Sequence, residues 1–432
     1  MSERNQKDTV ILRGGMEPHG RAVLPSSKSE LHRLLICACF AEAGTHISYC
    51  GGLPEDVKRT ADGLEKLGAV IEVSENQIEI RKSLCREALN MQAVELFCGD
   101  SAATARFFLP LAAYFCKEGT VLSGSEQLSK RPMEDICVCL EAQGAILSSH
   151  RLPIRIDRGM ISVENETPEI RGDLSSQYLS GLLMLLPVCG AEGIRQTSAL
   201  VSPGYVMLTE KMMERFGIDI KENQGVYSAV GAYRKPEGIV HAGGDWSHAA
   251  VFLCGTKASP VTVCGLQADS MQPDRKILEY LNCAGFKLSW NGDALTAQRG
   301  RALYPIDVDA AETPDLVPVL AVLGTTLPGE TRIRNAGRLK YKESNRLDAV
   351  CRLIRVLGGD VFSDGNSLYV QGNAHLWGGC IDSLGDHRIA MAAAAAAVYC
   401  DGRVTVRGAS AVEKSWPSFW ETYRQIYKGV MV

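Results

Sequence analysis

The segment from Lys340 to Arg346, KYKESNR, places three cations and one carboxylate just before a stretch whose apolar spacing predicts a helix. A helix N-terminus has unpaired N–H groups and a partial positive charge, so cations gathered there favour an anionic ligand. Within such a cluster, the carboxylate of Glu343 could pass a proton to or from the bound molecule. The segment therefore predicts an anion site that contains an acid–base group.

Cations close to predicted helix starts recur along the chain. Besides Lys342 and Arg346, they are Lys28, Arg33, Arg106, Arg131, Arg388 and Lys414. Taken one at a time, each is more often a surface side chain than part of a site. Together they favour a site for small ligands that carry several negative charges.

The elements that must position these residues repeat along the sequence. A short strand-like run, a polar step and an apolar helix recur six times, and successive polar steps lie 70 to 73 residues apart. The turning points are Lys28, Asp100, Asp173, Asp245, Asp315 and Asp386. Because Ser and Asp favour the N-cap position, we expect each polar step to cap the helix that follows it.

A second helix in five of the six repeats is predicted to stop at a glycine. Glycine accepts the left-handed conformation that closes a helix. The glycines are Gly68, Gly144, Gly217, Gly285 and Gly358. Each repeat thus predicts an α/β module with two helices, and two domains of three modules suit a chain of 432 residues.

Composition and charge restrict the class of protein. With 46% hydrophobic and 22% charged residues the chain is globular, and its formal net charge of −4 argues against bulk binding of nucleic acid or anionic membranes. The polar N-terminus lacks the layout of a secretory signal and no apolar run is long enough to span a bilayer, so a cytoplasmic protein is expected. The 15 cysteines include no CxxC pair, which predicts buried, reduced thiols rather than a zinc or redox site.

Seven motifs in order along residues 22–420 resemble the carboxyvinyl (enolpyruvyl) transferase family, and within it the 3-phosphoshikimate 1-carboxyvinyltransferases. The motifs are LPSSKSELHR, KRPMED, GDLSSQYLSGLLM, ETPDLVPVLAVLG, KESNRL, GDHRIAMA and EKSWPSFW. The resemblance implies an α/β fold of two domains, each of three repeated βαβαββ modules in an inside-out α/β barrel, with the active site in the interdomain cleft. The implied domains are 21–239 and, because the N-terminal strand crosses over, 1–20 with 240–432.

The implied reaction transfers the carboxyvinyl group of phosphoenolpyruvate to the 5-hydroxyl of shikimate 3-phosphate. It gives 5-enolpyruvylshikimate 3-phosphate and phosphate by addition and elimination, a step of the shikimate pathway towards chorismate and aromatic amino acids. The resemblance implies neither a metal nor an organic cofactor. The only partners expected are these two small molecules, with no nucleic acid and no membrane, and a monomer is expected.

The resemblance also assigns residues of this sequence to roles. Those implied to bind shikimate 3-phosphate are Lys28, Ser29, Arg33, Ser175, Ser176, Gln177, Ser202, Tyr205, Asp315 and Lys342. Those implied to bind phosphoenolpyruvate are Lys28, Ala102, Arg131, Gln177, Arg346, Arg388 and Lys414. Asp315 resembles the base and Glu343 the acid or proton shuttle, Lys28 joins them in catalysis, and His387 resembles an orienting group. Lys342 and Arg346 should lower the pKa of Glu343 while burial should raise it, and the sequence leaves the balance open.

The second module departs from the family pattern G-N-[SA]-G-T-[AT]-x-R. Here Asp100 replaces asparagine, Ala102 replaces glycine and Ala103 replaces threonine. The methyl group of Ala102 is expected to weaken binding of glyphosate, which fills the same space as phosphoenolpyruvate. Asn345 likewise replaces the aspartate of K-E-S-D-R, and whether these changes reduce turnover stays open.

Other functions remain alternatives at this point. UDP-N-acetylglucosamine 1-carboxyvinyltransferase, the sister enzyme, usually has a reactive cysteine in a glycine-rich loop of the second module. Here Cys116 lies near a predicted helix end without such a loop. A non-catalytic homologue that binds phosphorylated ligands is a second alternative. The RNA 3′-phosphate cyclases have a related fold, but the net charge argues against them.

Overall fold

The computed structural model describes residues 8–84, 93–115, 118–160 and 167–427, so Cys116 lies outside the described residues. The described chain divides into two compact units. Unit N is Ser27–Ala242, and unit C combines the residues up to Ser26 with those from Gly243 onward. Both units are mixed α/β. None of the helices in the described ranges is long and apolar enough to cross a membrane.

Short strands and helices alternate along the described residues. The strands are β1 (Thr9–Leu12), β2 (Arg21–Val23), β3 (Thr45–Ser48), β4 (Val70–Val73), β5 (Gln77–Lys82), β6 (Glu95–Phe97), β7 (Thr120–Ser123), β8 (Ile146–Leu147), β9 (Ile154–Arg158), β10 (Glu169–Ile170), β11 (Ile194–Gln196), β12 (Ile218–Asn223), β13 (Val226–Gly231), β14 (Ile239–His241), β15 (Val261–Cys264), β16 (Phe286–Asn291), β17 (Ala294–Arg299), β18 (Asp307–Asp309), β19 (Glu330–Arg334), β20 (Val361–Ser363), β21 (Leu368–Gln371), β22 (Gly379–Asp382) and β23 (Val404–Arg407). The helices are α1 (Lys28–Phe40), α2 (Glu55–Lys66), α3 (Ala102–Phe115), α4 (Glu126–Ser129), α5 (Glu134–Ala142), α6 (Ser176–Cys189), α7 (Pro203–Glu214), α8 (Trp246–Cys254), α9 (Ile277–Cys283), α10 (Val317–Gly324), α11 (Arg346–Leu357), α12 (His387–Ala397) and α13 (Phe419–Ile426).

Five four-stranded sheets among the described residues share one topology. Unit N contains β14–β3–β5–β4, β6–β7–β9–β8 and β10–β11–β13–β12, and unit C contains β2–β15–β17–β16 and β18–β19–β21–β20. In each sheet the first two strands are parallel and the later neighbours are antiparallel. A repeated topology is what repeated modules require, and the mixed α/β class predicted from the sequence is confirmed.

The sixth sheet and two strand pairs connect distant parts of the sequence. Strand β1 lies antiparallel to β23, with Thr9 opposite Arg407, and β23 lies parallel to β22. Strand β2 pairs with β15 in unit C, and β14 pairs with β3 in unit N. Strand β2, just before unit N, and strand β14, at the end of unit N, therefore each complete a sheet whose other strands lie far away in the sequence.

The first helix of each module forms the buried interior of its unit. All residues of α8 and of α12 are buried, which fits their apolar sequences. The second helices are amphipathic, as α11 shows by burying its leucines and exposing Arg352 and Arg355. The predicted glycine stops are confirmed, because Gly68, Gly144, Gly217, Gly285 and Gly358 all have φ between 83° and 103°.

Five polar steps cap helices as the sequence predicts. Side-chain oxygens of Ser27, Ser101, Ser175, Asp245 and Asp386 each accept a backbone N–H in the first turn of α1, α3, α6, α8 and α12. These bonds satisfy donors that the helix itself leaves unpaired. They also fix the helix starts from which the predicted site residues project.

In the polar steps around Asp100 and Asp173 the cap is a neighbouring serine, and only the step at Asp315 provides no side-chain cap among the described residues. Asp173 pairs instead with Arg171 at 2.7 Å, and the cap of α6 is two residues later at Ser175. Asp100 accepts a hydrogen bond from the hydroxyl of Ser125. Both aspartates find a nearby side-chain donor, so the capping position falls to another residue.

Helix α2 packs closely against α3 in the interior of unit N, and a substitution at Gly63 tests this contact. A β-carbon added at Gly63 would lie 1.8 Å from Cε2 of Phe108. Although alanine favours helices, Gly63→Ala is expected to lower the free energy of unfolding by about 1–3 kcal/mol, because the buried ring must move. Urea denaturation measures the change. Asp62→Ala, at the exposed neighbouring position, is the control and should stay within about 0.5 kcal/mol; equal stability of both variants would contradict the packing.

Candidate active site

The buried guanidinium of Arg346 organises the candidate site of unit C. Arg346 is the first residue of α11 and is fully buried. Its Nε donates to Oδ2 of Asp386 at 2.9 Å, its Nη1 donates to Oδ1 of Asp315 at 2.7 Å, and its Nη2 donates to Glu343. One cation is therefore shared by three carboxylates, two of which are the predicted base and acid.

Asp386 links this guanidinium to a second helix. Its Oδ1 accepts the backbone N–H of Arg388 at 2.9 Å as the cap of α12, and its Oδ2 accepts the hydroxyl of Ser344 at 3.0 Å. The starts of α11 and α12 are thus held together through one carboxylate. Asp386 was recognised in the sequence only as a turning point of the repeat, and its contact with Arg346, 40 residues away, has no local sequence signal.

Arg388 shares the carboxylate of Asp315 and retains unused donors. Its Nη2 lies 3.5 Å from Oδ2 of Asp315. Its side chain is 6% exposed, and its buried Nε and Nη1 have no hydrogen-bond partner among the described residues. Buried guanidinium donors are costly to leave unpaired, so these atoms point to a ligand that accepts hydrogen bonds.

Lys342 and Lys414 are placed close to the same helix starts. The ammonium of Lys342 lies 3.3 Å from Oδ1 of Asp315, and that of Lys414 donates to the carbonyl of Gly385 at 2.7 Å. Burial lowers the pKa of Lys342 to about 8, although the charge of Asp315 opposes the shift. The predicted residues Asp315, Lys342, Glu343, Arg346 and Arg388 therefore form one network in unit C.

Asp315 and Asp274 are two buried carboxylates with opposite pKa shifts. Burial raises the pKa of Asp315, but the charges of Lys342, Arg388 and Arg346 lower it more, and the result lies well below the usual value. Asp274, on the short helix Pro273–Lys276, accepts a hydrogen bond from Ser247. Burial, and then the charge of Asp315, raise the pKa of Asp274 to about 6. Sequence reasoning missed Asp274, which no motif marks.

In unit N, two predicted cations at the start of α1 are bound to protein groups. The ammonium of Lys28 donates to Oδ2 of Asp56 at 2.8 Å. Arg33 donates from Nε to Oγ1 of Thr209 at 2.7 Å, from Nη1 to the carbonyl of Ser29 at 2.8 Å, and from Nη2 to the carbonyl of Tyr205 at 3.2 Å. Burial lowers the pKa of Arg33 to about 10. Arg33 therefore joins α1 to α7, which carries Tyr205.

Three predicted residues lie at the start of α6. Ser175 caps the helix, and Ser176 and Gln177 are its first two residues. Arg106, from α3, donates to Oγ of Ser175 at 3.2 Å and to Oε1 of Gln177 at 2.8 Å. The helix start, its hydroxyls and a guanidinium thus meet at one place, as an anion site requires.

The remaining predicted residues of unit N are buried or half-buried. Ser202, before α7, is buried with φ of 50°, a left-handed conformation that non-glycine residues adopt rarely and that is common at functional sites. Arg131 is 9% exposed and lies between α4 and α5. Ala102 is buried as the first residue of α3, so its methyl group occupies space at the helix start.

Comparison with known proteins decides the family. A sequence model described as EPSP synthase (3-phosphoshikimate 1-carboxyvinyltransferase) matches residues 13–423. The chain belongs to the EPSP synthase family. It is 33% identical over 421 residues to the 3-phosphoshikimate 1-carboxyvinyltransferase of Clostridium novyi, covering 95% of each chain. The protein of that name from Methanopyrus kandleri is 32% identical over 420 residues, covering 95% of this chain and 96% of its own.

Solved structures share the fold of this EPSP synthase family member. EPSP synthase from Acinetobacter baumannii matches with a TM-score of 0.78 at 24% identity, covering 98% of this chain and 99% of that one. The enolpyruvyl transferase NikO from Streptomyces tendae matches with a TM-score of 0.73 at 17% identity, covering 98% of each chain. The family predicted from the seven motifs is confirmed.

The departures from the family pattern have local structural consequences. Asn345, in place of the family's aspartate, caps α11 by accepting the backbone N–H of Asp348 at 3.5 Å. The substitution therefore keeps the capping oxygen while removing a charge beside Arg346. The effect of Ala102 on glyphosate stays a prediction.

The raised pKa of Asp274 predicts how the free energy of unfolding depends on pH. Because its pKa in the folded chain is about 6, above the value near 4 of an unfolded chain, the folded state holds an extra proton between these pH values. The contribution of Asp274 to the free energy of unfolding therefore falls as pH rises from about 4 to about 6. Asp274→Asn removes this loss, so the variant gains stability relative to the unmodified chain across that window.

Urea denaturation at a series of pH values measures this difference. Asp269→Asn, an exposed position in the preceding loop, is the charge-matched control and should show a constant difference. A difference for Asp274→Asn that stays constant between pH 4 and pH 7 would show that the carboxyl is not protonated in the folded chain.

Proposed function

We propose that Asp315 and Glu343 carry the proton transfers of the family reaction, and that the buried cations of the two units hold its substrates. The chain transfers the carboxyvinyl group of phosphoenolpyruvate to shikimate 3-phosphate and releases phosphate, a step of aromatic amino acid biosynthesis. One observation carries the assignment of roles. Arg346 contacts both carboxylate oxygens of Asp386, and this one carboxylate is enough to balance the charge of the guanidinium. Asp315 and Glu343 nevertheless contact the same guanidinium, so charge balance alone does not explain their presence.

The substrates divide among the cations and hydroxyls by their chemistry. In this proposal the carboxylate and phosphate of phosphoenolpyruvate take the unused donors of Arg388 and bonds from other cations. Those cations are Lys28, Arg131, Arg346 and Lys414; the neutral amide of Gln177 adds a further donor, with Ala102 beside them. Shikimate 3-phosphate takes Lys28, Ser29, Arg33, Ser175, Ser176, Gln177, Ser202, Tyr205, Asp315 and Lys342. Guanidinium forks suit carboxylates and phosphates, while hydroxyls at the start of α6 suit a phosphate.

Asp315 acts as the base that accepts the proton of the 5-hydroxyl as its oxygen attacks C2 of phosphoenolpyruvate. In the ligand-free chain its pKa lies well below the usual value, which makes it a weak base. Bound anions cancel part of the charge of Lys342, Arg346 and Arg388, so the pKa of Asp315 rises when the substrates arrive. The base therefore becomes effective once the site is filled.

Glu343 gives a proton to the methylene carbon C3 as the C2–O bond forms, which yields a tetrahedral intermediate. In the second step the carboxylate takes a proton back from C3 as the bond between C2 and the phosphate oxygen breaks, and Asp315 gives the proton of the 5-hydroxyl to the leaving phosphate, so the proton count balances. The hydrogen bond from Arg346 holds Glu343 on the guanidinium that Asp315 also contacts. Lys28, which its bond to Asp56 orients, contacts both substrates and offsets charge that develops during transfer.

The proposal extends to the setting of the enzyme. It acts as a cytoplasmic monomer, and its only partners are the two small substrates. The formal net charge of −4 supports the absence of nucleic acid and of anionic membranes among those partners. UDP-N-acetylglucosamine should not serve as acceptor, and a phosphate-release assay with each acceptor in turn distinguishes the two reactions.

Glu343→Gln tests the assignment of the acid. The amide keeps the size of the side chain and an oxygen acceptor but cannot shuttle a proton, so kcat should fall by about 10² to 10⁴. The KM values should change little, because the cations that hold the substrates remain. Steady-state phosphate release measures both constants.

Glu330→Gln, at the first residue of β19 in the same unit, is the matched control and should keep normal turnover. A Glu343→Gln enzyme with kcat within tenfold of the unmodified chain would remove Glu343 from the mechanism. Loss of substrate binding alone would reassign it to the binding of anions.

A further inference from the structure

Arg106 joins two separate segments of unit N that carry predicted substrate contacts. Besides its bonds to Ser175 and Gln177 on α6, its Nη2 donates to the carbonyl of Pro132 at 3.2 Å. Pro132 directly follows Arg131, which the resemblance assigns to phosphoenolpyruvate. Arg106 is 6% exposed and lies on α3, so this link is built into the interior of the unit.

Tyr178 reinforces the same link. Its hydroxyl donates to the carbonyl of Pro132 at 2.6 Å, and its ring centroid lies 5.1 Å from the guanidinium carbon of Arg106. Tyr178 is on α6, next to Gln177, and is fully buried. The Pro132 carbonyl thus receives one bond from α3 and one from α6, which uses both of its lone pairs.

The bonds from Arg106 also decide what Ser175 and Gln177 can offer a ligand. Oγ of Ser175 accepts from Arg106 and from the backbone N–H of Gln177 at 3.3 Å, so its lone pairs are occupied and its O–H hydrogen remains. Oε1 of Gln177 accepts from Arg106, so the amide nitrogen remains. Neither remaining donor has an acceptor in the part of the chain that the structure describes. Both side chains are therefore prepared as donors, which suits an anion.

We propose that Arg106 and Tyr178 are positioning residues that couple the two substrate subsites through the carbonyl of Pro132. A ligand that takes the donors of Ser175 and Gln177 stabilises the orientation of Arg106, and this in turn fixes the backbone beside Arg131. Binding of either substrate then favours binding of the other, by the same factor in both directions. This inference rests on the proposed function, because it uses the predicted contacts of Ser175, Gln177 and Arg131.

The test is the factor by which one bound substrate changes the dissociation constant of the other. Initial rates over a matrix of phosphoenolpyruvate and shikimate 3-phosphate concentrations give this factor. Tyr178→Phe removes only the hydroxyl that binds Pro132 and should lower the factor about fivefold, the effect of one hydrogen bond. The affinity for shikimate 3-phosphate alone should stay within about twofold, since Arg106 still orients Ser175 and Gln177. A change that merely unfolded part of the enzyme would lower the maximal rate and leave the factor unaltered.

Tyr114→Phe is the matched control. Tyr114 lies on α3, and its hydroxyl donates to the carbonyl of Val188 on α6 at 3.0 Å, so this variant removes a tyrosine hydroxyl that joins α3 to α6 and leaves the bonds to Pro132 in place. This variant should keep the factor of the unmodified chain. Arg106→Lys, which keeps the charge but loses the fork, should both lower the factor and weaken shikimate 3-phosphate binding at least tenfold.

The possible outcomes distinguish failure of the proposed function from failure of the coupling between the two subsites. No phosphate release from the unmodified chain would overturn the proposed function and this inference with it. Release with a factor that Tyr178→Phe leaves unchanged would overturn the coupling alone. An equal fall in Tyr178→Phe and Tyr114→Phe would assign the effect to general packing of α3 on α6, which also overturns it.

Discussion

The buried guanidinium of Arg346 is the constraint on which the candidate site depends. A fully buried positive charge is unfavourable unless carboxylates and hydrogen bonds surround it. Asp386, at the start of α12, and Asp315, just before α10, both accept hydrogen bonds from the guanidinium. Because these partners come from different modules, the starts of three helices must converge on one cation. The predicted acid and base are therefore placed by the same interaction that makes burial of Arg346 possible.

This constraint changes how the site attracts anions. The cations of unit C are not unopposed, since Lys342, Arg346 and Arg388 face Asp315, Glu343 and Asp386. In the proposed mechanism, affinity for substrates comes from exchange of partners and from donors left unused, rather than from a large net positive charge. Exchange of partners also links binding to proton transfer, because any anion that draws a cation away from Asp315 makes that carboxylate a better base.

Much of the fold could be predicted from local sequence patterns. The sixfold repeat, the glycine stops and most caps depend on residues a few positions apart, and the structure confirms them. In the step around Asp173 the cap is Ser175, because Arg171 pairs with the carboxylate of Asp173. The family followed from motifs that each combine several such local choices in a fixed order.

The partners of the predicted cations could not be found in this way. Asp56 and Lys28 are 28 residues apart, and Asp386 and Arg346 are 40 apart, so only the folded chain shows the pairing. Asp274 carries no motif, and its raised pKa results from burial. Sequence reasoning therefore named Asp315 and Glu343, which share the guanidinium of Arg346, but missed Asp56 and the pairing of Asp386 with Arg346.

Proton uptake during binding of shikimate 3-phosphate tests most directly whether substrate anions take over this charge balance. At pH 8 the ligand phosphate is already fully ionised, whereas Lys342, with a pKa of about 8, is only half protonated in the ligand-free chain. Calorimetric titration in two buffers of different ionisation enthalpy should therefore show uptake of about half a proton per ligand, and none in Lys342→Arg, whose guanidinium stays charged. Binding without proton uptake, or the same uptake in Lys342→Arg, would contradict the account.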